Sequence, residues 1–152
     1  MSKSILIRIN HFFRHPAQER LLFFKAVILL GLIVIALRVL PFQVILAKVS
    51  AVRASKFIKN GKKTVSEEKI SWAVFKAGQF VPYAKCLAKA LAVKILYARY
   101  GYPAEIKIGV EKINNNQIKA HAWVESSSKV VTGNVGDIDR YQELPSLEKK
   151  KT

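Results

Sequence analysis

The sequence predicts an α+β fold in which helices pack on a small antiparallel sheet, preceded by an apolar N-terminal helix. Two observations support this class. Between residues 43 and 100, apolar residues recur every three or four positions, which is the period of amphipathic helices. Beyond Pro103 they alternate with polar or small residues, as in Ile106, Ile108 and Val110, which is typical of a half-buried strand. A chain of 152 residues has room for one compact domain with an accessory segment.

We divide the chain into a basic helical segment at 1–62, a compact domain at 63–145 and a solvated tail at 146–152. The net charge is +16, and residues 1–65 hold 12 Lys and Arg against Glu19 alone. Such a surplus attracts nucleic acid, an anionic membrane surface or an acidic polypeptide. We do not expect nucleic-acid binding, because the aromatic residues do not interleave with the basic ones as a single-strand groove requires.

The apolar helix is predicted over residues 16–40, from Pro16, which suits a first helical turn, to a stop before Pro41. Its central run, residues 26–37, is apolar throughout, and twenty residues at about 1.5 Å each just cross a bilayer core of about 30 Å. Three interpretations stay open: a transmembrane helix, a helix in the membrane interface, and a helix buried against the domain or a partner. If it spans, the basic residues after Arg38 place the remainder in the cytoplasm.

The remaining elements follow from periodicity and from start and stop signals. A second helix is predicted at 43–59, and a third begins at a cap formed by Thr64 or Ser66. A strong helix follows at 86–100 and ends at Gly101. Strands are predicted from residue 104 onward, at 118–125 and at 129–132.

Cys86 and His121 are the candidate catalytic residues. A single cysteine forms no intramolecular disulfide, so a reducing, cytoplasmic environment is the simplest expectation. Cys86 falls in the first turn of a predicted helix, where unpaired N–H groups and the helix dipole favour the thiolate, and His121 lies on a predicted strand as a general base. The alternative is an inert buried thiol and a structural histidine.

No metal site and no intrinsic cofactor are expected. The other two histidines, His11 and His15, lie far in the sequence from any cysteine or cluster of acids. The sequence also has no phosphate-binding glycine loop and no zinc-type cysteine pair.

Several short motifs follow one another in order over residues 70–144: Cys86-Leu87, Ala90-Leu91-Ala92, Tyr100-Gly101-Tyr102-Pro103, Ile108-Gly109-Val110 and His121-Ala122-Trp123-Val124-Glu125. Together they resemble the transglutaminase-like leader peptidases of lasso-peptide biosynthesis. The segment Pro16 to Leu22, followed by a long apolar helix, is similar to stand-alone members of that family.

The resemblance implies a papain-like cysteine hydrolase that removes the leader from a ribosomally made precursor peptide, with Cys86 as nucleophile and His121 as base. It also implies two protein partners. One is a separate leader-recognition protein, and the other is a cyclase resembling asparagine synthetase. Membrane contact through residues 16–40 is a further expectation.

The group that orients His121 is left open. The family often has an acid about a dozen residues after the histidine, where this sequence has Thr132, Gly133 and Asn134. A hairpin with a two-residue turn at 127–128 pairs Ser126 with Lys129 and puts Asn134 opposite His121. A longer loop brings Asp137 or Asp139 to the imidazole instead, and a backbone carbonyl is another alternative.

Overall fold

The computed structural model describes residues 16–52, 65–113, 117–134 and 136–145. Within these ranges the α+β prediction is confirmed: four helices accompany an antiparallel sheet of four strands in the order β3-β2-β1-β4. The helices are α1 (Ala17–Val39), α2 (Phe42–Ser50), α3 (Glu67–Ala77) and α4 (Cys86–Arg99). The strands are β1 (Glu105–Ile113), β2 (Gln117–Ser126), β3 (Lys129–Thr132) and β4 (Gln142–Glu143), the last preceded by a 3₁₀ turn at Ile138–Arg140.

The helix boundaries follow the local signals in the sequence. Helix α3 begins where the Ser66 hydroxyl accepts a hydrogen bond from the backbone N–H of Lys69, at 3.4 Å, and the alternative cap Thr64 lies outside the described residues. Helix α2 covers the first part of the predicted 43–59 helix, and residues 53–59 of that prediction lie outside the described residues. The tail at 146–152 also lies outside them.

Helix α1 belongs to the same core as the rest of the domain. One of its faces is buried against α3 and α4, through Leu22, Phe23, Ala26, Leu30 and Ile33. Burial of one large apolar side chain stabilises a fold by about 1.5–3 kcal/mol. The buried face of α1 is therefore important to the stability of the domain, since net stabilities are only about 5–15 kcal/mol. The predicted boundary at residue 62 falls in a part of the chain outside the described ranges.

The sheet presents two different faces because side chains alternate along each strand. Ile106, Ala122 and Val124 lie in the helix-packed core. The neighbouring residues His121 and Trp123 project from the other face, and Gly109 of β1 is paired directly with His121. The segment that carries Tyr141 and β4 runs beside β1 at this face. Strand β4 was not predicted, since two residues are too short to show an alternation.

The β2–β3 hairpin confirms part of the predicted register and corrects the rest. Ser126 pairs with Lys129 across a two-residue turn, and Ser127 and Ser128 have positive φ angles of 49° and 65°, as a type I′ turn requires. The register then shifts between Val124 and Glu125, so one extra residue enters β3. The prediction that a regular hairpin aligns Asn134 with His121 is therefore wrong, because it counted no bulge.

Tyr97 gives the helical core a pH-dependent stability. Its ring is fully buried, its hydroxyl donates to the Glu67 carbonyl at 3.1 Å, and Ser71 Oγ lies 2.9 Å from the same oxygen. Burial is the main cause that raises the pKa of Tyr97 to about 12.

Since the pKa of Tyr97 is higher in the folded state than in the unfolded state, the stabilisation is present below about pH 10 and is lost as pH rises toward 12. Between pH 9 and pH 12 we expect the free energy of unfolding, measured with guanidinium, to fall by about 2 kcal/mol more in the unmodified protein than in Tyr97→Phe. Identical pH dependence in the two proteins would contradict this assignment.

Candidate active site

Cys86 is the first residue of α4. Its side chain is half-buried, and the first turn of this helix contains no acidic residue. The unpaired N–H groups of a helix's first turn and the positive end of its dipole stabilise a negative charge placed there. The chain therefore presents its one thiol where the helix favours an anion.

The turn before Cys86 is conformationally strained and is supported from α1. Tyr83 has a φ of 63°, a region that residues with a bulky side chain rarely adopt, and its carbonyl accepts from Lys85 N–H at 2.8 Å. The guanidinium of Arg38, near the end of α1, lies 4.5 Å from the centre of the Tyr83 ring. This contact was not predicted from the sequence, because it joins residues 45 positions apart.

The imidazole of His121 is held by a backbone carbonyl. Its Nε2 lies 2.6 Å from the carbonyl oxygen of Gly133. A carbonyl oxygen only accepts hydrogen bonds, so Nε2 carries the hydrogen, and Nδ1 of the neutral ring keeps its lone pair. The contact thus selects the tautomer in which Nδ1 is available as a base.

Gly133 approaches β2 so closely that any other residue would require the backbone to shift. Its φ is +79°, and a Cβ at this position would lie 2.8 Å from the Ala122 carbonyl oxygen and 2.9 Å from the Cα of Trp123. The glycine therefore allows its own carbonyl to reach His121. No role was predicted for Gly133 from the sequence; the signal was a glycine directly after a short strand.

Two aromatic rings restrain the imidazole of His121. Trp123 is stacked with it at 6.3 Å between ring centres and an interplanar angle of 16°, and Tyr141 lies at 5.4 Å. Trp123 is buried and donates from Nε1 to Glu125 Oε1 at 2.9 Å. Gly109 makes room beneath them, since a Cβ there would lie 2.7 Å from the Cβ of Tyr141. Trp123 is therefore both a sheet-face residue and a wall of the histidine site.

A model of the transglutaminase-like superfamily matches residues 27–146, about four-fifths of the chain. The chain belongs to the transglutaminase-like superfamily. This superfamily includes cysteine peptidases. No curated protein and no solved structure is significantly similar to the chain.

In this transglutaminase-like protein the predicted orienting side chains make other contacts. Asn134 Oδ1 accepts from the backbone N–H of Gly136 at 2.9 Å, and Asp137 Oδ2 lies 3.7 Å from Nη1 of Arg140. Asp139 is an exposed residue of the 3₁₀ turn. Of the alternatives left open by the sequence, the backbone carbonyl is the one that contacts His121.

Two lysines of this transglutaminase-like domain, Lys107 of β1 and Lys119 of β2, share the sheet face of His121. The ammonium of Lys107 lies 2.7 Å from Glu143 and 3.3 Å from Glu105, and the Glu143 hydrogen bond is the main cause that raises the pKa of Lys107. A hydrogen bond with Tyr141 raises the pKa of Lys119. Both lysines therefore stay protonated at neutral pH.

Helix α4, which begins at Cys86, contacts β2 through the sheet face that carries Ala122 and Val124, whereas His121 projects from the opposite face. Within the described ranges, no hydrogen bond joins the Cys86 thiol to the imidazole. Their catalytic pairing stays a prediction.

The described residues also contain no group of three His, Cys, Asp or Glu side chains arranged to hold a metal ion. His11 and His15, for which no metal binding is predicted, lie outside the described part of the chain.

Proposed function

We propose that this protein is a cysteine peptidase that removes the leader from a ribosomally made lasso-peptide precursor. Cys86 is the nucleophile and His121 the general base. The observation that carries the proposal is the 2.6 Å contact between His121 Nε2 and the Gly133 carbonyl, because it leaves Nδ1 free to accept a proton. Membership of a superfamily that includes cysteine peptidases supports the same chemistry.

In the proposed reaction His121 Nδ1 takes the proton of the Cys86 thiol, and the sulfur attacks the scissile carbonyl carbon. The tetrahedral intermediate collapses as the C–N bond breaks, and the imidazolium gives its proton to the departing amine. Water, deprotonated by His121, then attacks the thioester. The products are a carboxylate on the leader, a free amine on the core peptide and the regenerated thiol.

The Gly133 carbonyl takes the orienting role in this proposal. It holds the Nε2 hydrogen in both the neutral and the protonated imidazole, because each of these forms carries a proton at that nitrogen. Asn134 and Asp137 follow in the same loop and are the alternative orienting residues. Their present partners are Gly136 and Arg140.

The substrate and partners rest on the family resemblance of the motifs around Cys86 and His121. A precursor peptide would be presented by a separate leader-recognition protein, and the released core would pass to an asparagine-synthetase-like cyclase. The reaction as proposed uses no intrinsic cofactor. A reducing cytoplasm suits a peptidase that works through one free thiol.

The test is reconstituted cleavage. The protein, its precursor peptide and the recognition protein are incubated together, and the products are identified by mass spectrometry. We expect one cut between leader and core with the unmodified protein and none with Cys86→Ala, with circular dichroism as the check that the variant is folded.

A non-catalytic adaptor at the membrane is the alternative function, favoured by the exposed apolar residues of α1. Cleavage that is undiminished in Cys86→Ala would rule out the peptidase. A complex that forms and matures peptide equally well without the thiol would favour the adaptor.

A further inference from the structure

Helix α1 exposes a continuous apolar stripe on the side away from the domain. We call this the outer stripe; it consists of Leu21, Phe24, Ile28, Leu32, Ile35 and Val39. Each of these side chains is 56–74% exposed. Their spacing of three or four residues places them on one face of the helix, while the inner face is buried in the core.

Two exposed aromatic residues of the loop before α4 contact α1 outside the outer stripe. Phe80 is 66% exposed, and its ring meets that of Phe23 edge-on at 5.7 Å. Tyr83 is 70% exposed and lies under the guanidinium of Arg38. Tyrosine rings are enriched where proteins meet the lipid headgroup region. Because Tyr83 precedes Cys86 by three residues, this surface adjoins the nucleophile's turn.

The charges around the stripe are complementary to anionic lipid. Lys25 falls on the stripe face by helical spacing, and Arg38 is exposed at its far end. Glu19, the one acid in the first 65 residues, lies 3.1 Å from Lys69 and so adds little negative charge to the outer surface. Long basic side chains place their methylene groups on an apolar surface and their charges at the phosphates.

The packing of α1 sets its direction relative to a membrane. The helix is long and apolar enough to cross a bilayer by length and composition, but only one side of it faces away from the protein. Crossing would require Leu22, Leu30 and Ile33 to leave the core that they share with α3 and α4. A helix lying in the interface needs only its outer face and keeps the core intact.

We infer that the outer stripe docks this protein on an anionic membrane surface, with α1 parallel to the membrane plane and its inner face still packed on the domain. The inference is independent of the proposed peptidase activity. It concerns where the protein sits, so it holds or fails whether or not Cys86 is catalytic.

The test is flotation of the full chain with vesicles of phosphatidylcholine, with and without 30% phosphatidylglycerol, at low and high salt. We expect binding to the anionic vesicles that weakens as salt rises, because part of the attraction is electrostatic. Ile28→Glu should weaken binding at least about tenfold, since it places a charge in the apolar contact. Release of the bound protein by alkaline carbonate is expected of an interfacial helix.

Ile118→Glu is the matched control. Ile118 is as exposed as Ile28, at 68% against 64%, but lies on β2. The Ile118→Glu variant should bind anionic vesicles as the unmodified protein does. Equal loss in both variants, no binding to anionic vesicles, or resistance to carbonate extraction would each overturn the inference. The inference would also fail if the outer stripe is covered by protein instead of lipid. That outcome would be a dimer, or a complex with the recognition protein, that forms without lipid, is disrupted by Ile28→Glu and does not bind vesicles.

Discussion

Replacement of His121 by alanine is expected to lower the rate of leader cleavage by about 10²–10⁴-fold, the usual contribution of a general acid–base group. The imidazole is tied through Nε2 to the Gly133 carbonyl, at 2.6 Å, and is restrained by the rings of Trp123 and Tyr141. Alanine has no ring nitrogen, so no group remains in the place of Nδ1 to take the thiol proton or to give it to the leaving amine. The measurement is single-turnover cleavage of the precursor with the recognition protein present.

His15→Ala is the control for this experiment, because it removes a histidine to which the proposal gives no role. It should retain normal cleavage. His121→Ala should keep the unfolding midpoint of the parent within a small margin, since the side chain is only half-buried. Cleavage at the parental rate in a folded His121→Ala protein would remove His121 from the mechanism.

Gly133→Ala is expected to destabilise the fold and to slow cleavage. A residue with a side chain pays about 1–2 kcal/mol for a left-handed conformation, and overpacking adds about 1–3 kcal/mol. Here the new Cβ would meet backbone atoms of β2 at 2.8–2.9 Å, so relief requires the loop to move away from the strand. That movement also withdraws the carbonyl from His121. Urea unfolding and single-turnover cleavage of the folded fraction measure the two effects.

Gly136→Ala separates the conformational effect from the steric one. Gly136 also has a positive φ, +75°, but among the described residues, its chain neighbours aside, nothing lies within 4 Å of the position its Cβ would take. We expect it to lose only the conformational part of the stability and to retain cleavage. If the two alanine variants behave alike, the close approach of Gly133 to β2 is not what positions the histidine.

Much of the fold follows from local patterns that the sequence displays directly. The helix at Cys86–Arg99 and the strand at Lys129–Thr132 were predicted closely, because periodicity and stop signals act within a few residues. The two-residue turn at Ser127 and Ser128 was predicted from the hairpin pattern alone. These features need no knowledge of what packs against them.

The orienting group of His121 was not predictable in the same way. The bulge near Val124 adds one residue to β3 and depends on how the sheet packs, so residue counting misaligned Asn134. Tyr141 reaches the imidazole from a two-residue strand that leaves no periodic trace. The contact between Arg38 and Tyr83 likewise depends on how α1 lies against the domain.

By itself the sequence determined the α+β class, the apolar helix, the one cysteine at a helix start and the histidine on a neighbouring strand. Each of these depends on residue type and on spacing along the chain. Only the tertiary structure decided which side of α1 is buried and which atom holds His121. Those outcomes depend on distances between segments of the chain that are not neighbours in sequence. A glycine is needed at position 133 because its backbone meets β2 at close contact.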